Sequence, residues 1–225
     1  MNRLRLMIKQ NAVYFSGLML LFLAGIFLLV MNGNASSFLL LNTFHFSWLN
    51  NFFLSYTLVG DGAFAICLAV IYFFIVKKQI EAFLIFYSFL LSGIIVQIVK
   101  HLFFSPRPKL FFGNTYHSYF IDGIEFYHNN SFPSGHTTTA FAVATVLILL
   151  SKDKKVQLPA LFAALLVAYS RVYLGQHFLS DVLVGALIGV IAGIGCVYIA
   201  QHFKFTGYSF RPLNLKTSGS VTSLG

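Results

Sequence analysis

Three short blocks carry the residue types that handle phosphate. The first holds Lys100, Arg107 and Pro108 in KHLFFSPRP; the second is Pro133-Ser134-Gly135-His136; the third holds Ser170, Arg171, His177 and Asp181 in SRVYLGQHFLSD. Lys100, Arg107 and Arg171 are fixed positive charges, and an Arg fork binds phosphate oxygens in pairs while Lys acts as a point charge. Ser134 and Gly135 offer a hydroxyl and backbone N–H groups ahead of an apolar run, where a helix N-terminus favours an anion. Gly135 has no Cβ to hold a ligand away from the backbone. His177 and Asp181 are four apart, so the carboxylate can fix one ring nitrogen and leave the other free to attack phosphorus. His136 has no acid at that spacing and suits proton transfer to a leaving oxygen. The chemistry indicated is phosphoryl transfer through a phosphohistidine: His177 attacks, His136 protonates the leaving group and then activates water, and the cations stabilise the equatorial oxygens.

These blocks must be held by a membrane fold. The chain of 225 residues is 58% hydrophobic, only 9% charged, has 27 Phe and a mean hydropathy of +0.80. No soluble fold hides that much apolar surface. Apolar runs fall at about 14–31, 53–76, 82–104, 137–151, 156–174 and 179–203. They predict an all-α, polytopic bundle of six transmembrane helices over residues 1–204, with a disordered cytoplasmic tail over 205–225. The net charge of +9 rests on 15 Lys and Arg, set in short groups beside the apolar runs. That is a topology signal, and no nucleic-acid partner is expected. Arg3, Arg5, Lys9, Lys77, Lys78, Lys152, Lys154, Lys155, Lys204, Arg211 and Lys216 share one side if both termini are cytoplasmic. Lys100, Arg107, Lys109 and Arg171 are then left outside, and all three blocks fall at the outer face. The apolar N-terminal run is long for a cleaved signal and is expected to stay as the first helix. Cys67 and Cys196 lie in apolar runs and are expected to be buried free thiols.

The blocks read Lys100-x6-Arg107-Pro108, Pro133-Ser134-Gly135-His136 and Ser170-Arg171-x5-His177-x3-Asp181. In this the sequence resembles the type 2 phosphatidic acid phosphatase (PAP2) superfamily, matching its signature at every specified position, over roughly residues 82–203. The first two helices fit the membrane branch by count alone. The resemblance implies a metal-independent phosphatase of lipid phosphates or diphosphates, with His177 as nucleophile, His136 as acid and Asp181 as the partner of His177. It implies Lys100, Arg107, Ser134, Gly135 and Arg171 as the phosphate-binding set, no cofactor, no metal, and no obligate protein partner. Soluble relatives bind vanadate as haloperoxidases, so vanadate is expected to mimic the transition state. The compact chain suggests a bacterial inner-membrane enzyme whose site faces the periplasm. Undecaprenyl diphosphate is the first expected substrate, with phosphatidylglycerophosphate, phosphatidic acid and a lipid A phosphate as alternatives. Two rivals remain: a lipid phosphotransferase, and a lipid transporter or binding protein with an inert PAP2 fold. His177 and Asp181 also have the spacing of half a metal site, but three neighbouring cations would repel a divalent ion.

Two features stay open on sequence. Asp61, in LVGDGAFA, either faces a polar cavity and orients a site cation or caps a helix break at its flanking glycines. The aromatic segment 109–132 either shapes the lipid pocket or anchors the chain at the interface.

Overall fold

The computed structural model describes residues 3–113, 120–121, 130–151 and 153–202. The expected tail and most of the aromatic segment 109–132 lie outside the described residues. Among the described residues the chain is all-helical. The elements are α1 (Arg3–Gln10), α2 (Ala12–Leu41), α3 (Ser47–Tyr56), α4 (Gly62–Phe74), α5 (Gln79–Leu102), α6 (Pro108–Phe112), α7 (Gly135–Leu150), α8 (Gln157–Tyr173) and α9 (Leu179–His202). Two short 3₁₀ turns, Thr57–Gly60 and Lys154–Val156, join α3 to α4 and lead into α8.

Four helical segments of the described chain are long and apolar enough to cross a membrane, or five if the bent α3–α4 pair is one span. The chain is therefore an integral membrane protein. The second expected span, 53–76, departs from a continuous helix: it bends by 60° between α3 and α4. Asp61 is extended there and its Oδ1 accepts from Ala63 N at 2.8 Å, which starts α4 afresh. The first span departs as well. The helix breaks at Gly33 (φ 71, ψ 174) and runs on to Leu41, ten residues past the expected end at 31. Ser37 Oγ donates back to Leu28 O across the break at 3.0 Å. The returning turn buries Phe38 against Phe112, Phe120 and Phe178 and brings Asn34 Oδ1 to Ser180 N at 3.3 Å.

α7 is short, 16 residues, because it runs through the middle of the bundle instead of facing lipid. Thr137 to Val146 are all buried. A helix apolar on every side belongs at the centre of a packed core. Its polar side chains find partners there: Tyr14 OH lies 3.0 Å from Thr145 Oγ1, and Thr138 Oγ1 donates to Gly185 O at 3.0 Å. α9 packs against it through Gly185, Gly189 and Gly193. A Cβ at Gly185 would lie 2.7 Å from Ser134 O, and one at Gly193 would lie 2.9 Å from Ala142 O. Small residues one turn apart let two membrane helices touch backbone to backbone. Large apolar side chains on α2, α4 and α5, among them Phe27, Val30, Phe74 and Ile94, point outward as a lipid-facing surface requires. Cys67 and Cys196 are free, but Cys67 is exposed on this outer surface and Cys196 half-buried, since an apolar run has a lipid-facing side as well as a core side.

Candidate active site

The third block forms a tight structure between α8 and α9. α8 ends at Tyr173, and Gly175 takes a positive φ of 66°, which turns the chain back. Gln176 N and His177 N both donate to Arg171 O, at 3.0 and 3.1 Å, so Arg171 and His177 sit side by side. His177 precedes the first residue of α9, so the two residues do not share a helix face. The pairing with Asp181 is kept nonetheless, with His177 Nδ1 at 3.5 Å from Asp181 Oδ2. Both side chains are almost wholly buried. Asp181 Oδ2 also accepts from Phe178 N at 3.0 Å, and Oδ1 from Ser180 Oγ at 3.2 Å.

A residue outside the signature completes this cluster. Ser131 is fully buried and donates its hydroxyl to Asp181 Oδ2 at 2.5 Å, with its Oγ 3.4 Å from His177 Nδ1. A serine has one proton to give. With that proton donated toward Asp181 Oδ2, the contact with His177 requires the hydrogen on Nδ1. The tautomer follows: Nδ1–H faces Ser131 and Asp181, and the Nε2 lone pair is left unprotonated. Burial holds the His177 imidazole below the usual histidine range, and Arg171 and Arg107 add to the depression against the opposing pull of Asp181. A neutral, oriented imidazole suits nucleophilic attack.

The second block is tied to the third through its backbone. Ser134 N donates to Asp181 O at 3.0 Å, so this N–H, expected to face phosphate, is already used. Ser134 is fully buried, its side chain does not cap α7, and its Oγ accepts from Thr137 Oγ1 at 3.0 Å. The first turn of α7 starts at Gly135, where a Cβ would meet nothing within 4 Å. That open space is what an anion approaching a helix N-terminus needs. His136, the next residue, has its Nε2 3.7 Å from Asp61 Oδ2. Asp61 thus caps α4 through one oxygen, and its ion-pair partner among the described residues is a histidine instead of the expected Lys or Arg.

The three cations converge on these groups. Arg171, at the end of α8, is buried; its Nη1 donates to Thr57 Oγ1 at 2.8 Å, and its Nε is buried with no hydrogen-bond partner among the described residues. Arg107 precedes α6, which Pro108 starts, and its Nη1 donates to Gln176 Oε1 at 2.8 Å and to Gln176 O at 3.3 Å. Lys100, in the last turn of α5, donates to Asn130 O and lies within electrostatic reach of Arg107, Arg171 and Asp181. His136 is likewise within reach of Arg171, Asp61 and Arg107. All the signature residues therefore lie at one end of α7. Among the described residues no three His, Cys, Asp or Glu side chains come together as metal ligands would. Ser131, Thr57, Gln176 and Asn130 were not singled out by sequence. Only Ser131 and Gln176 carry a signal there: Gln176 sits within the third block beside His177, and Ser131 lies two residues before Pro133.

Residues 81–205 match the PAP2 superfamily. The chain is 30% identical over 181 residues to a lipid A 4′-phosphatase of Porphyromonas gingivalis, covering 76% of this chain and 75% of that protein. It is 30% identical over 104 residues to the undecaprenyl-diphosphatase BcrC of Bacillus subtilis, covering 46% of this chain and 50% of that relative. The crystal structure of a transmembrane PAP2-type phosphatidylglycerolphosphate phosphatase from Bacillus subtilis superposes with a TM-score of 0.58 at 26% identity. It covers 87% of this chain and 98% of that one.

Proposed function

The chain belongs to the PAP2 superfamily, and on that premise we propose that it is an integral membrane phosphatase hydrolysing a lipid phosphate or diphosphate through a phosphohistidine. One observation carries the reading: the oriented His177–Asp181 pair lies against Arg171, whose buried Nε has no partner among the described residues. A buried cation with an unused donor calls for an anion.

In the first step the Nε2 lone pair of His177 bonds to phosphorus. The bond from phosphorus to the leaving oxygen breaks, and His136 gives that oxygen a proton. In the second step water gives a proton to His136, and its oxygen attacks phosphorus. The N–P bond breaks, inorganic phosphate leaves, and both histidines return to their starting states. Asp181 stabilises the charge that develops on His177. Lys100, Arg107, Arg171, the Ser134 hydroxyl and the amides at Gly135 and beyond hold the equatorial oxygens. No metal or cofactor enters these steps.

The bundle has six spans, with α7 as the short central one and both termini in the cytoplasm. Lys78 and Glu81, at the start of α5, line one small cavity with Leu150 and Ser151 at the end of α7. Lys77 and Lys78 before α5 and Lys154 and Lys155 between α7 and α8 therefore gather at the end opposite the site, as the positive-inside rule requires of a cytoplasmic face. The site then faces the outside of a bacterial inner membrane. Undecaprenyl diphosphate is the leading substrate. A lipid A phosphate stands beside it, because the lipid A 4′-phosphatase is matched over most of its length.

Phosphate release from undecaprenyl diphosphate, lipid A, phosphatidylglycerophosphate and phosphatidic acid, measured in EDTA, tests the reading. Release is expected for at least one lipid and is abolished by His177→Ala. Activity lost in EDTA and restored by a divalent metal overturns the mechanism. Release that depends on an added lipid acceptor identifies a phosphotransferase instead. Full cellular effect in the His177→Ala protein identifies a transporter or binding protein.

A further inference from the structure

We infer that the turn between α3 and α4 is a fourth component of the site, in which Asp61 holds His136 as the proton donor and acceptor. The inference rests on the role proposed above for His136.

The argument starts with the cost of placing an acid here. A carboxylate within an apolar span is disfavoured unless its surroundings make use of the charge. A helix start needs only an oxygen to accept a backbone N–H, and Ser, Thr or Asn supply one without charge. Asp61 uses a single oxygen for that purpose, Oδ1 to Ala63 N at 2.8 Å. The second oxygen, Oδ2, lies 3.7 Å from His136 Nε2, an ion-pair distance longer than a hydrogen bond. Capping alone therefore does not account for the charge.

The turn is also built to press against the site. A Cβ at Gly60 would lie 2.8 Å from His136 O and 3.0 Å from His136 Cβ, so only glycine permits this approach. Thr57, at the start of the same turn, accepts from Arg171 Nη1 at 2.8 Å. One four-residue turn and the residue after it thus touch a histidine of the second block and an arginine of the third. None of the three signature blocks contains it.

The geometry assigns a division of labour between the two ring nitrogens. Asp61 faces Nε2, so the proton exchanged with the leaving oxygen, and later with water, is the one on Nδ1. Asp61 stabilises the imidazolium before the first transfer and again after the second. The site then has two His–Asp pairs with different tasks: Asp181 orients a neutral nucleophile in a buried pocket, and Asp61 supports a charged acid at a half-exposed edge.

The test uses the full chain in detergent and the lipid of the panel that the unmutated protein hydrolyses fastest. Asp61→Asn keeps an oxygen to cap α4 and removes the charge; Asp61→Ser does the same with a smaller side chain. General acid–base catalysis contributes roughly 10²–10⁴-fold, and a partner of the acid supplies part of it, so both variants are expected to lower kcat about 10- to 100-fold with little change in KM. In a His136→Ala background, Asp61→Asn is expected to cost nothing further, because its route of action is gone. Unchanged kcat in folded Asp61→Asn and Asp61→Ser proteins overturns the inference, and so do multiplying losses in the double variant. The two readings fail separately. Full turnover by His136→Ala, or no turnover with any lipid, defeats the functional reading. Lost turnover in His136→Ala with full turnover in Asp61→Asn defeats only the role of Asp61.

Discussion

Replacing Ser131 with Ala removes one hydroxyl from the buried cluster around His177 and leaves every signature residue in place. Ser131 donates at 2.5 Å to Asp181, whose other contacts are Phe178 N, Ser180 Oγ and His177. A hydrogen bond to a charged group contributes about 1.5–3 kcal/mol, and a buried carboxylate that loses a donor gains no water in exchange. Part of that loss falls on stability, as a lower unfolding temperature in detergent. The rest falls on catalysis, because Ser131 also fixes the hydrogen on His177 Nδ1. Asp181 can still receive that hydrogen directly across 3.5 Å, so the pair loosens without dissolving. One 1.36 kcal/mol step is tenfold in rate, which sets the expected loss at about 10- to 100-fold in kcat. KM is expected to stay within about threefold, since Ser131 lies behind His177 and away from the phosphate. Rapid-quench measurement of phosphoenzyme formation checks the assignment, because that step should slow while hydrolysis of the formed intermediate changes less. A wild-type rate of formation, or a loss confined to KM, refutes the tautomer argument.

The remaining predictions follow from other parts of the site. Protonation removes the Nε2 lone pair, and the imidazole is held below the usual histidine range, so the acid limb of phosphoenzyme formation due to His177 should fall below about pH 6.5, as a single-turnover pH profile will show. The same shift acts on stability: between the two proton affinities the unfolded chain binds a proton that the folded chain refuses, so stability falls as pH drops below about 6.5. Arg171→Lys keeps the charge but loses the fork and the bond to Thr57; kcat/KM should fall about 100-fold or more, with vanadate inhibition weakened in parallel. Gly185→Ala puts a Cβ 2.7 Å from Ser134 O, so α9 must move off the start of α7; a loss of both unfolding temperature and turnover is expected, with overpacking costing about 1–3 kcal/mol.

The parts of this molecule that were legible in sequence share one property: each is local. Apolar runs mark the start of α2 and both ends of α5, α8 and α9 to within a few residues, because crossing lipid demands an unbroken stretch. Pro106 and Pro108 mark the end of α5 in the same way. The motif blocks name their own chemistry through residue types and spacing. What could not be read depends on which distant segments meet. The run 53–76 has the hydropathy of one helix, and hydropathy does not report that Asp61 restarts it at a 60° bend. Gly60 looks like a weak point in that helix; its reason is the backbone of His136, seventy-six residues later in the chain. Ser131 stands two residues before Pro133, outside the block, and nothing local marks it until Asp181 is seen within its reach.

The same contrast explains the short length of α7. A bilayer asks for a longer helix, but α7 is surrounded by α5, α8 and α9, and its first turn lies at the candidate site. The glycines of α9 that allow backbone contact also set the depth at which Ser134 and Gly135 present themselves. Packing and chemistry are joined at that point. The bond from Ser134 N to Asp181 O ties the start of α7 to the first turn of α9, so any shift between the two helices changes the Ser134–Gly135 turn and the His177 pair together. A site assembled from four separate segments keeps its geometry only if the helices carrying them cannot slide. Close packing of α7 on α9, with the α3–α4 turn wedged against His136, supplies that constraint.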